Sequence, residues 1–503
     1  MGPRRVPSSL AVKGSTTGAT VPDERVAMGL WFYPRGGSAQ VVRYLAYALP
    51  GAGWDPSIYC GTIGSPGDES NAATFFAGLD VHAADYGPAL AAAERGDDPL
   101  AAPMPLHASY EDRPGAPDRV LASVDPALLD HHADAWARVF ADGDAGTAAC
   151  FHLHHLTPQH EAVARRFPAV PVLGQFHGTD MKMLDALDHG APWAHGEFWR
   201  AAMRRWAQSC DGVAVISPHD RDEASRLLGV ESERVTWIPN GIDIDRFHAR
   251  ALSLDERLAA LRHWLVDDPR GWREGAEPGS IAYAPDVLDR FVDPGTGEAR
   301  PVLLFIGRFI SFKRVPLLIR AYARARARFP VPAPLVVWGG HPGEWEGEHP
   351  HTVAVDAGVD DDVLFVGWRG HDDLPLGLAC ADVMVGPSVN ESFGQVFLEA
   401  MGCRVPVITT ATGGPLSFVN TVAGKPNGWL VPPDDEEALA DALVEAVTNA
   451  DERRVRGANA YAQARADYSW RHLADRYAES YEAAIARRAA TGPTGGAAST
   501  GAP

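Results

Sequence analysis

Between Ala381 and Thr409 the chain changes character three times. Ala381 to Ser388 is apolar and closes on Pro387 and Ser388, the pattern of a short buried strand. Asn390 to Gly394, Asn-Glu-Ser-Phe-Gly, is a short and mainly polar loop. Gln395 to Met401 is made of good helix formers, and Gly402 is a natural stop. Val405 to Thr409 returns to strand character. Strand, loop, helix, strand is the repeating unit of a parallel sheet covered by helices, and few other folds accommodate it. In such a unit the free N–H groups of Phe393, Gly394, Gln395 and Val396 point above the sheet edge, at the positive end of the helix. That arrangement suits a phosphate group. Gly394 removes the Cβ that would hold a ligand off the backbone. Two carboxylates flank the turn, Glu391 before it and Glu399 eight positions on. Glu391 can reach a sugar hydroxyl, and Glu399 can accept hydrogen bonds from a vicinal diol such as a ribose.

The chain has 503 residues, enough for more than one domain. Its formal charge of -20 argues against nucleic acid or an anionic membrane as a global partner. Cys60, Cys150, Cys210, Cys380 and Cys403 are odd in number and lack metal-ligand spacing, as expected of reduced thiols in a cytoplasmic protein. No apolar run approaches the ~20 residues of a membrane span, and no apolar stretch follows Arg4 and Arg5 to make a signal peptide. Oligomeric state is not legible. The lysines are only Lys13, Lys182, Lys313 and Lys425, which makes each one informative.

Residues 1–22 are Gly-, Ser- and Thr-rich and read as disordered. A first domain spans 23–250. It opens with a strand from Arg25 to Trp31, a loop containing Gly36 and Gly37, and a helix from Val41 to Leu49, again an anion-binding turn. Residues 63–145 hold few strong elements. Strands follow at 148–154, 170–176 and 212–217. His152 and His154 alternate onto one face, but no acidic or Cys partner completes a tetrahedral zinc site. His177 stands where a parallel strand ends, the edge at which doubly wound sheets keep their ligands. Arg200, Arg204 and Arg205 form the solvated face of a helix. Asp243 and Asp245 belong to a Pro-Asn-Gly turn rather than a metal site. Residues 251–299 form a linker or insertion. A second domain, 300–467, opens with a strand that delivers Arg308 and Lys313 to one loop, two cations suited to a leaving diphosphate. The loop 341–351 is dense in Glu and His and reads as an exposed charged face. Residues 489–503 read as a disordered tail. Alternating strands and helices in both halves predict an α/β protein with two parallel-sheet domains.

Glu391-Ser-Phe-Gly-Gln-Val-Phe-Leu-Glu399, followed by Ala-Met-Gly, Pro406-Val-Ile and Gly413-Gly414, resembles the Glu-seven-residues-Glu signature of glycosyltransferase family 4. Gly36-Gly37, the Pro239-Asn-Gly-Ile-Asp243 segment and the Gly307-Arg308…Lys313 segment resemble the same family, and the likeness covers about residues 25 to 488. It implies the GT-B fold: two doubly wound, Rossmann-like domains facing across a cleft, with a helix at 468–488 crossing back onto the first. It implies a retaining transfer of a hexose from a nucleotide-diphosphate sugar, UDP- or GDP-linked, to a hydroxyl acceptor. The family resemblance makes Glu399 the ribose ligand and sets Gly36, Gly37, Arg308, Lys313 and residues 393–396 at the diphosphate. Gly367 lies in the loop that packs on the base, and His177 and Glu391 line the sugar. No metal and no organic cofactor are implied. An epimerase on the same architecture, a phosphorylase using pyridoxal phosphate and a non-catalytic sugar-nucleotide binder compete with this reading. The phosphorylase needs a Schiff-base lysine, and none of the four is placed for it.

Overall fold

A computed structural model describes residues 24–112, 116–422 and 424–492. The expected disordered start and most of the tail lie outside the described residues, although the last helix runs on to Thr491. Two parallel sheets organise the chain. The first contains β1 (Glu24–Leu30), β2 (Trp54–Thr62), β3 (Asp80–Asp85), β4 (Cys150–His154), β5 (Val172–Phe176), β6 (Gly212–Val215) and β7 (Val235–Trp237). Their order is β3-β2-β1-β4-β5-β6-β7. The second contains β8 (Leu303–Ile306), β9 (Leu335–Trp338), β10 (Val363–Gly367), β11 (Val383–Gly386), β12 (Val407–Thr410) and β13 (Gly428–Val431), in the order β10-β9-β8-β11-β12-β13. Strands such as β4, β5, β9 and β11 are buried throughout, because helices cover both faces of each sheet.

Each sheet reverses its winding once, between β1 and β4 and between β8 and β11. Loops leaving neighbouring strands in opposite directions open a crevice at those points. Four elements differ from expectation. Residues 63–145 contain a regular strand, β3, and a helix, Leu129–Asp142, whose buried face carries Trp136 and Phe140. Ala-rich, weakly periodic sequence concealed both. A further helix, Ala450–Asp467, precedes the last one, Trp470–Thr491. The helix after β1 begins at Gly36 itself, so the two glycines form its first turn instead of a loop before it.

Residues 251–299 pack on the second sheet. Leu261, Trp264, Leu265 and Phe291 join one apolar cluster there, while Trp272 and Ile281 join the other. The last helix lies against the first sheet. Leu473, Tyr477, Tyr481 and Ala484 are fully buried in that lobe's core. Gly241 admits Trp470 at a distance that any side chain there would block.

Candidate active site

The loops after β8 and β11, at the second sheet's reversal point, meet the segment after β5 of the first lobe at the joint between the lobes. After β8, Lys313 sits in a single 3-10 turn, Ser311–Lys313. After β11 comes Glu391. Lys313 Nζ lies 2.5 Å from Glu391 Oε2, with side chains only 13% and 16% exposed. From the first lobe, Lys182 on the helix Thr179–Asp188 donates to the Asn390 carbonyl at 3.2 Å. Burial pushes the Lys182 ammonium below its ordinary pKa, partly offset by the charge of Glu391. A methyl placed on Gly178 would stand 3.3 Å from Ser392 Cβ, so the His177–Gly178 turn abuts the loop that carries Glu391. Behind that loop, Gly414 donates its N–H to the Glu391 carbonyl at 2.9 Å. A Cβ on Gly414 would lie 2.3 Å from Phe393 Cα, and one on Gly413 would lie 2.5 Å from the Glu391 oxygen. The two glycines are therefore the bed on which residues 391–393 rest.

Gly394 takes φ +89° and caps the helix Gln395–Gly402, whose first turn has no side-chain cap. Gln395 reaches across to the first lobe and donates to the Gly241 carbonyl at 2.8 Å. Glu399 is buried, and its Oε1 lies 3.3 Å from His371 Nε2. His371 itself packs against Phe247.

His177 ends β5 as anticipated and is buried in a file of imidazoles. Its Nε2 lies 3.0 Å from His154 Nδ1, and its ring stacks on that of His154. Asp180 Oδ2 accepts from the His177 N–H at 3.2 Å and lies 3.1 Å from His155 Nδ1. Burial, followed by the neighbouring charge of His155, holds the His177 imidazole well below its ordinary pKa. His152 is not available to a metal: Nδ1 meets the Tyr481 hydroxyl at 2.8 Å and Nε2 meets Gln175 Oε1 at 2.9 Å. Among the described residues no group of three or more His, Cys, Asp or Glu is arranged to hold a metal ion. Asp243 Oδ1 accepts from the N–H groups of Asp245 and Arg246, which makes it a turn cap.

Some expected members stand apart. Arg308 is exposed, and its charge acts on Glu346 of the Glu/His-rich loop; among the described residues it forms no ion pair with the joint. That loop exposes Glu344, Glu346 and Glu348 as expected, and is anchored at two points. Glu346 accepts from the Ser311 N–H at 2.8 Å, and His349 is buried against Trp272. Gly367 has φ +76°, and a Cβ there would lie 2.1 Å from the Arg270 carbonyl oxygen. Its smallness accommodates the 251–299 segment, a contact that distant sequence could not announce. Trp368 next to it leaves 56% of its surface exposed. Gly36 and Gly37 are exposed, and nothing lies within 4 Å of the Cβ position on either.

Sequence reasoning passed over Lys182, Asp220 and His371. Lysine scarcity was a usable signal for Lys182. Asp220 sits in the first turn of the helix Pro218–Leu228 with its N–H bonded to Ser217 Oγ at 3.1 Å, which reads locally as ordinary capping. A cavity of about 970 Å³ opens beside the joint, lined by Lys182, Ser217, Asp220 and Arg226 from the first lobe and by Asn390–Ser392 and Ala411–Gly414 from the second. Among the described residues, no helix is long and apolar enough to cross a membrane.

A family model described as Glycosyltransferase Family 4 matches residues 35–246, and one described as Glycosyl transferases group 1 matches residues 300–449. The D-inositol 3-phosphate glycosyltransferase of Stackebrandtia nassauensis is 40% identical over 66% of this chain and 80% of its own length. That of Kribbella flavida is 28% identical over 73% of this chain and 78% of its own. Among solved structures, the sucrose-phosphate synthase of Thermosynechococcus elongatus superposes with TM-score 0.59 at 20% identity, over 92% of this chain and 99% of that one. The Anabaena HepE protein in complex with UDP and glucose also gives TM-score 0.59, at 17% identity over 91% and 99%. The two reversed sheets are the GT-B arrangement. With both lobes matched and the Glu391–Glu399 turn at the second reversal point, the chain belongs to glycosyltransferase family 4 and is a glycosyltransferase.

Proposed function

We propose that the protein transfers a hexose from a nucleotide-diphosphate sugar to a hydroxyl of a small polyol or carbohydrate acceptor, with retention of configuration. The observation that carries this reading is the Lys313–Glu391 pair at 2.5 Å, in the loop that leads into a helix N-terminus without a side-chain cap at a sheet reversal. A diphosphate arriving there takes over the ammonium from Glu391. The carboxylate is released toward the sugar hydroxyls, so one exchange of partners both holds the leaving group and orients the sugar. The N–H groups of residues 393–396 add fixed positive dipoles where negative charge grows, an effect worth ~3 kcal/mol per well-aimed donor. Arg308, exposed on the same loop, is long enough to swing to the outer phosphate. Glu399 holds the ribose, with His371 fixing its other oxygen. Trp368 offers an aromatic face to the base. His177, kept neutral, donates or accepts at the sugar without adding charge. Attack from the face that the diphosphate leaves lets the departing phosphate oxygen take the acceptor's proton. Neither a metal ion nor an organic cofactor enters this scheme, because protein cations and amides do the neutralising. The relatives are named for D-inositol 3-phosphate, a phosphorylated polyol, which supports the polyol part of this reading. Five buried free thiols support a reducing, cytoplasmic setting.

The test is a donor screen with UDP-, GDP- and ADP-glucose by thermal shift, followed by transfer assays. Lys313→Ala and Glu391→Ala are each expected to lower turnover about a hundredfold or more while circular dichroism stays unchanged. Full turnover in both variants would remove the joint from the mechanism. Conversion of the donor sugar with no acceptor present would favour an epimerase instead.

A further inference from the structure

We infer that the 970 Å³ cavity beside the joint is the acceptor site, that Asp220 is the side chain that receives an acceptor hydroxyl, and that the acceptor is an uncharged polyol or sugar, not a phosphorylated one. This deepens the transferase reading and rests on it.

Asp220 is only 6% exposed, lines the cavity, and its Oδ2 is buried without a hydrogen-bond partner among the described residues. A buried carboxylate oxygen left without a donor is costly, and a ligand O–H supplies the missing bond. Its position suits the role. A methyl on Gly178 would be 3.7 Å from Asp220 Oδ1 and 3.3 Å from Ser392 Cβ, so Asp220 stands one side chain from the His177 turn and from the loop holding Glu391. A hydroxyl on Asp220 is thereby placed next to the sugar.

The charges around the cavity select against phosphate. Its lining has Lys182 and Arg226 as permanent cations, against Asp185, Asp220, Glu223 and Glu391. Arg226 is already held by Glu223 at 2.5 Å, Asp185 at 3.0 Å and Asp188 at 3.3 Å. Lys182 is committed to the Asn390 carbonyl. Arg226 is matched by carboxylates, Lys182 faces Asp220 and Glu391, and the lining carries four carboxylates against two permanent cations, so a phosphate dianion would meet net negative charge, while a hydroxyl donor meets the unmet Asp220 oxygen. Burial also raises the Asp220 carboxyl to about 6, consistent with a group awaiting a donor.

The full chain is assayed with whichever nucleotide-glucose raises its melting temperature, against matched pairs of acceptors: myo-inositol and D-inositol 3-phosphate, glucose and glucose 6-phosphate, trehalose and trehalose 6-phosphate. Transfer is expected to a neutral member at ten times or more the kcat/KM of its phosphate. In Asp220→Asn, of nearly unchanged shape, acceptor KM is expected to rise about tenfold while the nucleotide-induced thermal shift is unchanged. Preference for any phosphorylated member, no transfer to any neutral one, or an unaltered acceptor KM in the variant overturns the assignment. Absence of any nucleotide-induced shift would instead strike the transferase reading beneath it.

Discussion

Lys313 and Glu391 form the pair on which the proposed transfer turns. Partly buried and mutually neutralised, they cost little to hold together, yet removing either strands the other. The Ala variants should therefore differ from a pure binding defect by losing kcat as well as raising donor KM, measured in the same steady-state assay. The buried imidazoles make a second prediction at this scale. Burial lowers His132 and His152 to about 3 and His160 to about 4, and it drives His154 and His177 well down too. In the unfolded chain these rings take protons near 6.5. Below that pH the unfolded state binds more protons than the folded one, so stability falls as pH falls. Each ring that stays neutral removes about 1.4 kcal/mol per pH unit. Asp220, raised to about 6, pulls the other way between there and 3.8, but it is one group against five. Calorimetry should show the melting temperature dropping steeply from pH 6.5 to 4.5; a flat profile would contradict the burial of the histidine file.

The elements around the joint owe their precision to glycines whose functions differ. Gly414 supports the Glu391–Phe393 loop, while Gly367 lets Arg270 close on the end of β10. Gly414→Ala should push the Glu391–Phe393 loop aside, and under the proposed mechanism a displacement of ~1 Å at a reacting centre costs about a hundredfold in rate. Gly367→Ala forces both an unfavourable φ and a backbone clash, a cost of about 1–3 kcal/mol that should appear as a lowered melting temperature. Turnover per folded molecule should fall in the first variant and stay near that of the parent in the second. The reverse pattern would exchange their assigned functions. At the element level the strand–loop–helix–strand at 381–409 was legible because its strands, helix formers and stops follow one another without interruption. β3 was not, since Asp80–Asp85 is half exposed at a sheet edge and lacks an apolar run.

At the scale of the molecule, the chain's end completes its beginning. The helix Trp470–Thr491 fills the first lobe's core, and Arg488 near its end meets Asp211 at 2.7 Å with both side chains buried. Tyr481 from the same helix holds His152, which flanks the His154–His177 stack. The last turns of the chain thus bear on the histidine file that includes His177. Arg488→Met leaves the Asp211 charge buried without its partner and should cost about 3–5 kcal/mol. Thermal unfolding should show the loss in the first lobe's transition, with the second lobe's donor-induced shift retained. Loss of both together would mean that the lobes unfold as one unit.

Sequence alone determined the parallel α/β architecture, the strand–loop–helix unit that carries Glu391 and Glu399, the position of His177 at a strand end and that of Lys313 in the loop after a strand, because each of these follows from short-range pattern: apolar runs, helix formers, and glycines at fixed offsets. Tertiary structure decided which of those residues meet. It paired Lys313 with Glu391 across 78 positions and brought Lys182 over from the other lobe. It turned Arg308 outward, gave Gly367 to a neighbouring backbone, and left Asp220 buried with an unmet oxygen. Contacts between lobes depend on packing over hundreds of residues, and local periodicity carries no record of them.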